Sequence, residues 1–111
     1  MLERDIEKRV CEYLKVKGGI HYKWTSPNHA GVCDRIWLCN GAVRFVEFKR
    51  KGESPTPLQN RHHQHLVTHG GVVYVIDSVE IGKEIIDHES SEKWNRPHRS
   101  AVQLIIGDRF I

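Results

Sequence analysis

Three residues in the first half of the chain have the types and spacing needed to hold a divalent cation. Glu47 and Lys49 are separated by one residue near the end of a run that favours β-structure. Side chains alternate across a strand, so we expect both to point to one face, with Val46 and Phe48 on the other. Asp34 comes directly before a second such run. Carboxylates are preferred ligands of Mg²⁺ and Mn²⁺, and a bound ion could polarise a phosphate while Lys49 orients or helps deprotonate an attacking water.

The two runs are joined by a turn sequence. Asn40-Gly41 lies between Arg35–Cys39 and Val43–Lys49, and this dipeptide favours a two-residue hairpin. Antiparallel pairing would bring Asp34 near Glu47. Without that convergence, Glu47 and Lys49 would be an ordinary ion pair on a half-exposed sheet, which contributes little to stability.

The first helix is predicted from apolar residues that recur three and four positions apart. It should end at Gly18-Gly19, where glycines terminate the pattern. Glu3 falls within the arc of the apolar stripe, and Glu7 lies one turn on, nearer its edge. An acid that faces inward needs a reason, so both acids are candidates for the site. The stripe consists of Leu2, Ile6, Val10, Tyr13 and Leu14.

A strand, a loop and a capped helix are predicted on either side of the hairpin. Residues 20–25 favour a strand, and Ser26-Pro27-Asn28 then indicates a loop. Residues 50–57 contain glycine, two prolines and many polar groups, which is typical of an exposed loop. Thr56, with Pro57 first in the helix and Gln59 three residues after the cap, forms a capping-box pattern for a helix that runs to about His69.

The remaining segments complete an α/β fold with a mixed β-sheet flanked by helices. The apolar run at residues 72–76 suits a buried central strand, and Asp77 with Glu80 suggests a capping box for a third helix through about Asp87. A crossover through the second helix should place the last strand parallel to an earlier one. Residues 89–100 resemble a loop, while 102–106 with 110–111 could be an edge strand or a surface for a second subunit.

Size and composition indicate one globular domain over residues 1–111, with a core at about 3–88 and a C-terminal extension at 89–111. The chain has 111 residues, of which 39% are hydrophobic and 28% charged, so it is too apolar for a disordered protein. No apolar stretch is long enough to span a membrane and no signal peptide is evident, so we expect a cytoplasmic protein, in the host cytoplasm if its source is viral. Three cysteines in no disulfide or zinc pattern suggest free thiols.

The order of motifs resembles the VRR-NUC family within the PD-(D/E)xK nucleases. Three segments carry the resemblance: 31–36, 45–53 and 56–59. It extends over roughly residues 3–88 and includes a helix-borne acid in the register of Glu3. Related Holliday-junction resolvases are similar more loosely and favour Glu7, so both acids are kept. The family usually has proline where this chain has Cys33, which puts the rigidity of that loop in question.

The resemblance implies a restriction-endonuclease-like core and a divalent ion, Mg²⁺ or Mn²⁺. It implies that Asp34, Glu47 and the backbone carbonyl of Phe48 bind the ion. Lys49 would act at the water and Gln59 near the phosphate. Gln59 could equally serve only to cap its helix.

DNA is the partner that the resemblance implies, and in particular branched DNA such as a Holliday junction. Small members of the family that stand alone resemble resolvases, which implies a homodimer with two active sites. Flap or nicked DNA is an alternative substrate, and a non-catalytic nucleic-acid-binding module is an alternative function. Arg35, Arg50, Lys51 and His62 are the candidate contacts to nucleic acid.

The other residue types that could bind metal or bases are weaker candidates. His62, His65 and His69 share a helical face and could bind zinc with Cys33 or Cys39, but no metal-binding spacing accompanies them. Contact with phosphate is the better explanation for these histidines. The tryptophans are expected in the core or an interface: Trp24, Trp37 and Trp94. Arg44 is expected to contact phosphate or solvent.

Overall fold

Helices and strands follow one another in the predicted order. A computed structural model describes residues 1–26, 31–91 and 96–105. Within these residues the elements are α1 (Glu3–Val16), β1 (Ile20–Lys23), β2 (Arg35–Cys39), β3 (Ala42–Phe48), α2 (Pro57–Thr68), β4 (Val73–Ile76) and α3 (Val79–Ser91). No helix among them is long and apolar enough to cross a membrane. Pro27, Asn28 and Trp94, together with residues 106–111, lie outside the described residues.

The strands form one mixed sheet in the order β1-β2-β3-β4. The first three strands are antiparallel neighbours, and β4 runs parallel to β3 after the crossover through α2. Asn40 and Gly41 have φ of 53° and 80°, the left-handed pair that a tight hairpin with the right twist requires. The predicted hairpin and the predicted parallel pairing are therefore both confirmed.

The position of β4 differs from the prediction. It was expected in the centre of the sheet, but it lies at one end of the four-stranded sheet that the described residues form. Its residues are apolar because helices cover both of its faces, and Tyr74 and Ile76 are fully buried. Beyond it, the Val102 amide donates to the Val73 carbonyl at 2.8 Å, so the C-terminal segment covers its outer edge. Residues 102–105 make this contact without forming a regular strand.

The hydrophobic core lies between one face of the sheet and the helices α1 and α3. Side chains from β2, β3 and β4 pack there against the buried stripe of α1 and against Ile85 and Ile86 of α3. The opposite face is approached by α2, where Trp24 packs near Phe45. Consequently Val46 and Phe48 point into the core, and Glu47 points to the α2 side.

The two caps predicted for the later helices have different outcomes. Thr56 and Gln59 form the predicted capping box at the start of α2. For α3 the expected cap, Asp77, is wrong: the Ile81 amide donates to the hydroxyl of Ser78 at 3.2 Å instead. The carboxylate of Asp77 accepts from the Gly52 amide at 3.4 Å and so contacts the loop after β3.

The C-terminal part of α3 closes the core through a buried polar network. This helix continues to Ser91, beyond the predicted end at Asp87 and into the expected loop. Glu89 accepts from Arg44 at 2.8 Å and from the hydroxyl of Tyr74, and that hydroxyl accepts from the His98 amide at 2.8 Å. Arg44 is 5% exposed, so its expected contact with phosphate or solvent is wrong. Burial without a partner would be costly for this guanidinium, which explains the pairing.

Candidate active site

Asp34 and Glu47 meet where β2 and β3 begin to separate. Arg35 pairs with Val46, which brings the residue before Arg35 and the residue after Val46 opposite each other. The Phe48 amide donates to Asp34 Oδ2 at 2.7 Å and fixes this carboxylate against β3. The hairpin thus produces the convergence that the sequence predicted.

The helix-borne acid that joins this pair is Glu3, at the start of α1. One carboxylate oxygen from each of Glu3, Asp34 and Glu47 can be chosen so that all three lie within 4.8 Å of one another. Glu47 is buried and the other two are partly buried. Three converging oxygen donors of this type suit a hard divalent cation such as Mg²⁺ or Mn²⁺.

The electrostatics of the cluster show that its negative charge is poorly compensated. Burial is the largest of several causes that together raise the pKa of Asp34 to about 7; the charges of Glu47 and Glu3 add to it and the Phe48 amide opposes it. Burial also raises the pKa of Glu3, while Lys49 lowers it. A divalent cation among these oxygens would favour their charged forms, so the residues present fit such an ion.

Lys49 lies beside the acids at the end of β3. It is 9% exposed, and its amide donates to the Ile76 carbonyl at 2.9 Å, which holds its backbone against β4. Its charge acts on Glu3, as the pKa of that acid shows. An ammonium group next to converging carboxylates is the arrangement needed to place a water or a phosphate oxygen near a bound ion.

Gln59 caps its helix and also contacts the acid cluster, while its position near a phosphate stays a prediction. Its Oε1 accepts from the Thr56 amide at 2.9 Å and completes the capping box. Its Nε2 donates to Glu47 Oε2 at 3.1 Å. The first turn of α2 therefore holds the central carboxylate of the cluster.

Comparison with known proteins decides the family. The chain is 45% identical to a protein named "Putative nuclease p44" from Acyrthosiphon pisum secondary endosymbiont phage 1. The match extends over 80 residues, which are 71% of this chain and 86% of that protein. It also matches a solved structure named VRR_NUC domain, with a TM-score of 0.71 and 28% identity over 78% of this chain and 95% of that one. The chain belongs to the VRR-NUC family of nucleases. No protein-family model matches it.

Glu7, the competing acid, has a different partner in this VRR-NUC domain. Its Oε2 accepts from Arg35 Nε at 2.7 Å, and Arg35 Nη1 lies 3.5 Å from His21 Nδ1. This ion pair is partly buried. Glu7 still contributes to the negative potential at Asp34 and Glu3, but the set of three converging carboxylates contains Glu3.

The predicted contacts to nucleic acid lie in different environments. Arg50 and Lys51 are exposed on the loop after β3, and Arg50 lies 3.5 Å from Glu53. His62 is half-buried, with its ring 5.6 Å from that of Trp24. Arg35 is engaged with Glu7. Their contact with nucleic acid stays a prediction.

One residue next to the VRR-NUC acids was missed by the sequence analysis. His63 is buried on α2, and its Nε2 lies 3.9 Å from Glu47 Oε1. Gln59 and His63 are four residues apart and so share one helical face. That spacing was the available signal, because a helix face that presents Gln59 to Glu47 must present His63 to the same region. Of the three histidines considered for zinc, His65 and His69 are exposed and His62 is half-buried.

Proposed function

We propose that this VRR-NUC nuclease is a divalent-metal-dependent endodeoxyribonuclease that hydrolyses phosphodiester bonds. The observation that carries the proposal is the convergence of Glu3, Asp34 and Glu47, with Lys49 beside them. Asp34, Glu47 and the backbone carbonyl of Phe48 would hold Mg²⁺ or Mn²⁺. The ion, when bound, would polarise the scissile phosphate and lower the pKa of a coordinated water.

The remaining side chains have roles that follow from their contacts. Lys49 would orient the attacking water or take part in its deprotonation, since it is a flexible donor held beside the acids. Gln59 would keep the Glu47 carboxylate in place and lie near the phosphate. Glu3 would complete the negative cluster from α1. The Phe48 amide positions Asp34.

The proposed substrate is branched DNA, with a Holliday junction as the first choice and flap or nicked DNA as alternatives. We propose residues 1–111 as one nuclease domain that acts as a homodimer, because two active sites on a four-way junction require two copies. Arg50, Lys51, His62 and Arg35 are proposed to contact the nucleic acid. The expected cytoplasmic location stays a prediction.

The test is cleavage of junction, flap, single-stranded and linear duplex DNA with Mg²⁺, Mn²⁺ or EDTA. We expect cleavage that requires the metal and prefers a branched substrate. Glu47→Ala and Lys49→Ala should lower the rate by about 10²-fold or more while DNA binding persists. Lys15→Ala, which removes an exposed lysine at the other end of α1, is the matched control and should cut normally. Binding without cleavage under every metal condition would overturn the proposal.

A further inference from the structure

Behind the acid cluster, three side chains of different chemistry meet in the interior. Cys33, Glu47 and His63 are 0%, 2% and 1% exposed. One ligand atom from each, a sulfur, a carboxylate oxygen and a ring nitrogen, lies within 4.8 Å of the other two. Glu47 therefore belongs to two clusters, one made of oxygens alone and one that includes sulfur and nitrogen.

Two polar atoms of this second cluster lack hydrogen bonds. Glu47 Oε1 and His63 Nε2 are fully buried and have no hydrogen-bond partner among the described residues. They lie 3.9 Å apart, which is too long for a hydrogen bond. Leaving such atoms unsatisfied in the interior costs on the order of 1–3 kcal/mol each. A group that binds both atoms would remove this cost.

We propose that Cys33, His63 and Glu47 form a second metal site, selective for a thiophilic divalent ion of the Zn²⁺ type. Thiolate and imidazole bind Zn²⁺ in preference to Mg²⁺, because Mg²⁺ favours oxygen ligands alone. In a tetrahedral site with metal–ligand distances of about 2.0–2.3 Å, the ligand atoms are roughly 3.4–3.6 Å apart. The 3.9 Å between Nε2 and Oε1 needs only a small closure to reach that spacing.

The fold holds these ligands on three separate elements. Cys33 lies in the segment that enters β2, Glu47 lies in β3 and His63 lies in α2. Gln59, four residues before His63, already fixes the other oxygen of Glu47. On binding, the thiol of Cys33 would lose its proton to solvent and coordinate as thiolate.

Sharing of Glu47 gives the site a functional consequence, which rests on the proposed function. A carboxylate drawn toward a Zn²⁺-type ion at Cys33 and His63 is less available to Mg²⁺ at Asp34. We therefore expect Zn²⁺ to inhibit Mg²⁺-dependent cleavage.

Co²⁺ alone is the direct probe, because its spectrum reports sulfur coordination whether or not the protein cuts DNA. Titration of the full chain should produce a thiolate charge-transfer band and the visible bands of tetrahedral Co²⁺, and these bands should reach their maximum with one Co²⁺ bound at the sulfur site. Zn²⁺ should bleach both. Absence of the thiolate band from folded protein would overturn the site.

Variants assign the sulfur and nitrogen ligands. Cys33→Ala should abolish the thiolate band, whereas Cys39→Ala, which removes another buried cysteine, should retain it. His63→Gln should weaken Co²⁺ binding at least as much as the roughly 10–100-fold loss seen when an outer-shell partner is removed. Circular dichroism establishes that each variant is folded. A band that survives in Cys33→Ala would contradict the assignment.

X-ray absorption of the 1:1 Zn²⁺ complex of the unaltered protein avoids any question of variant folding. We expect one sulfur at about 2.3 Å with nitrogen and oxygen ligands; a shell of oxygen alone would overturn the site. Inhibition by Zn²⁺ is then measured as a fraction of each variant's own Mg²⁺-dependent rate. Half-maximal inhibition of Cys33→Ala should require at least about tenfold more Zn²⁺ than that of wild type. If sulfur is bound but the protein cuts nothing, the metal site stands and the proposed function fails.

Discussion

Gln59 Nε2 donates to Glu47 Oε2 at 3.1 Å, so the first turn of α2 is bonded directly to the central carboxylate of the acid cluster. The same side chain accepts from the Thr56 amide through its other amide atom. One residue thereby couples the start of a helix to the candidate active site. The two contacts use different atoms of Gln59, which makes them separable by substitution.

Gln59→Glu should separate catalysis from helix capping. Glutamate retains an oxygen for the Thr56 amide, so the helix cap should persist, and any loss in the free energy of unfolding should come from the new charge beside Glu47. Its charge would repel Glu47 and remove the hydrogen bond to it, so cleavage should fall by about tenfold or more. Urea unfolding and cleavage rates measure the two effects.

Thr56→Ala is the matched control, because it removes the cap and leaves the contact between Gln59 and Glu47. It should lower the free energy of unfolding by about 1 kcal/mol. Its cleavage rate under conditions where the protein is folded should change less than that of Gln59→Glu. Equal effects of both variants on cleavage would show that Gln59 acts only through the helix.

Asp34 should make the metal-free protein less stable as the pH rises. Its pKa in the folded protein is raised to about 7 from an ordinary value near 3.8, chiefly by burial. Between these two pH values Asp34 is therefore protonated in the folded state and ionised in the unfolded state. Stability from this group is thus present at low pH and lost as the pH rises through about 7.

Asp34→Asn removes that titration. In EDTA, urea unfolding gives the free energy of unfolding of the variant minus that of wild type. This difference should be larger at about pH 8 than at about pH 5, by on the order of 1 kcal/mol after allowance for partial exposure. Mg²⁺ should stabilise wild type at the higher pH and should have less effect on the variant. A difference of the opposite sign would contradict the raised pKa.

Glu3 and Glu7 should differ in what they contribute. Glu3→Gln removes a carboxylate from the converging cluster, so cleavage should fall on the order of 10²-fold. Glu7→Gln weakens the ion pair with Arg35, which should lower the free energy of unfolding by up to about 1 kcal/mol and cause the smaller loss of cleavage. A larger loss of cleavage in Glu7→Gln would identify Glu7 as the helix-borne acid.

Local sequence patterns predicted the elements whose causes are local. The hairpin follows from Asn40-Gly41, and the start of α2 follows from Thr56 and Gln59, because each depends on residues within a few positions. The end position of β4 in the described sheet depends on the path of the whole chain. Arg44 was misjudged for the same reason, since its partner Glu89 is 45 residues away.

The approach of Asp34 to Glu47 was predictable because strand alternation and hairpin register determine it. Asp34 and Glu47 follow from the pairing of Arg35 with Val46. His63 was not identified, because the polar sequence of α2 gave no indication that this position is buried. Burial there requires the face of α2 to pack on the Glu47 side of the sheet, which is a tertiary effect.

Substitution of Glu89 should be one of the most destabilising single changes outside the candidate site. It is 3% exposed and accepts from both Arg44 and Tyr74, so Glu89→Ala leaves a buried guanidinium without its carboxylate. We expect a loss of about 3–5 kcal/mol in the free energy of unfolding.

Two further variants test the reason for this loss. Tyr74→Phe, which removes one hydroxyl, should cost about 1 kcal/mol. The double variant Arg44→Leu/Glu89→Leu should lose less than Glu89→Ala, because no unpaired charge remains. Urea unfolding measures all three, and a loss below about 1 kcal/mol in Glu89→Ala would show that the buried ion pair is not needed.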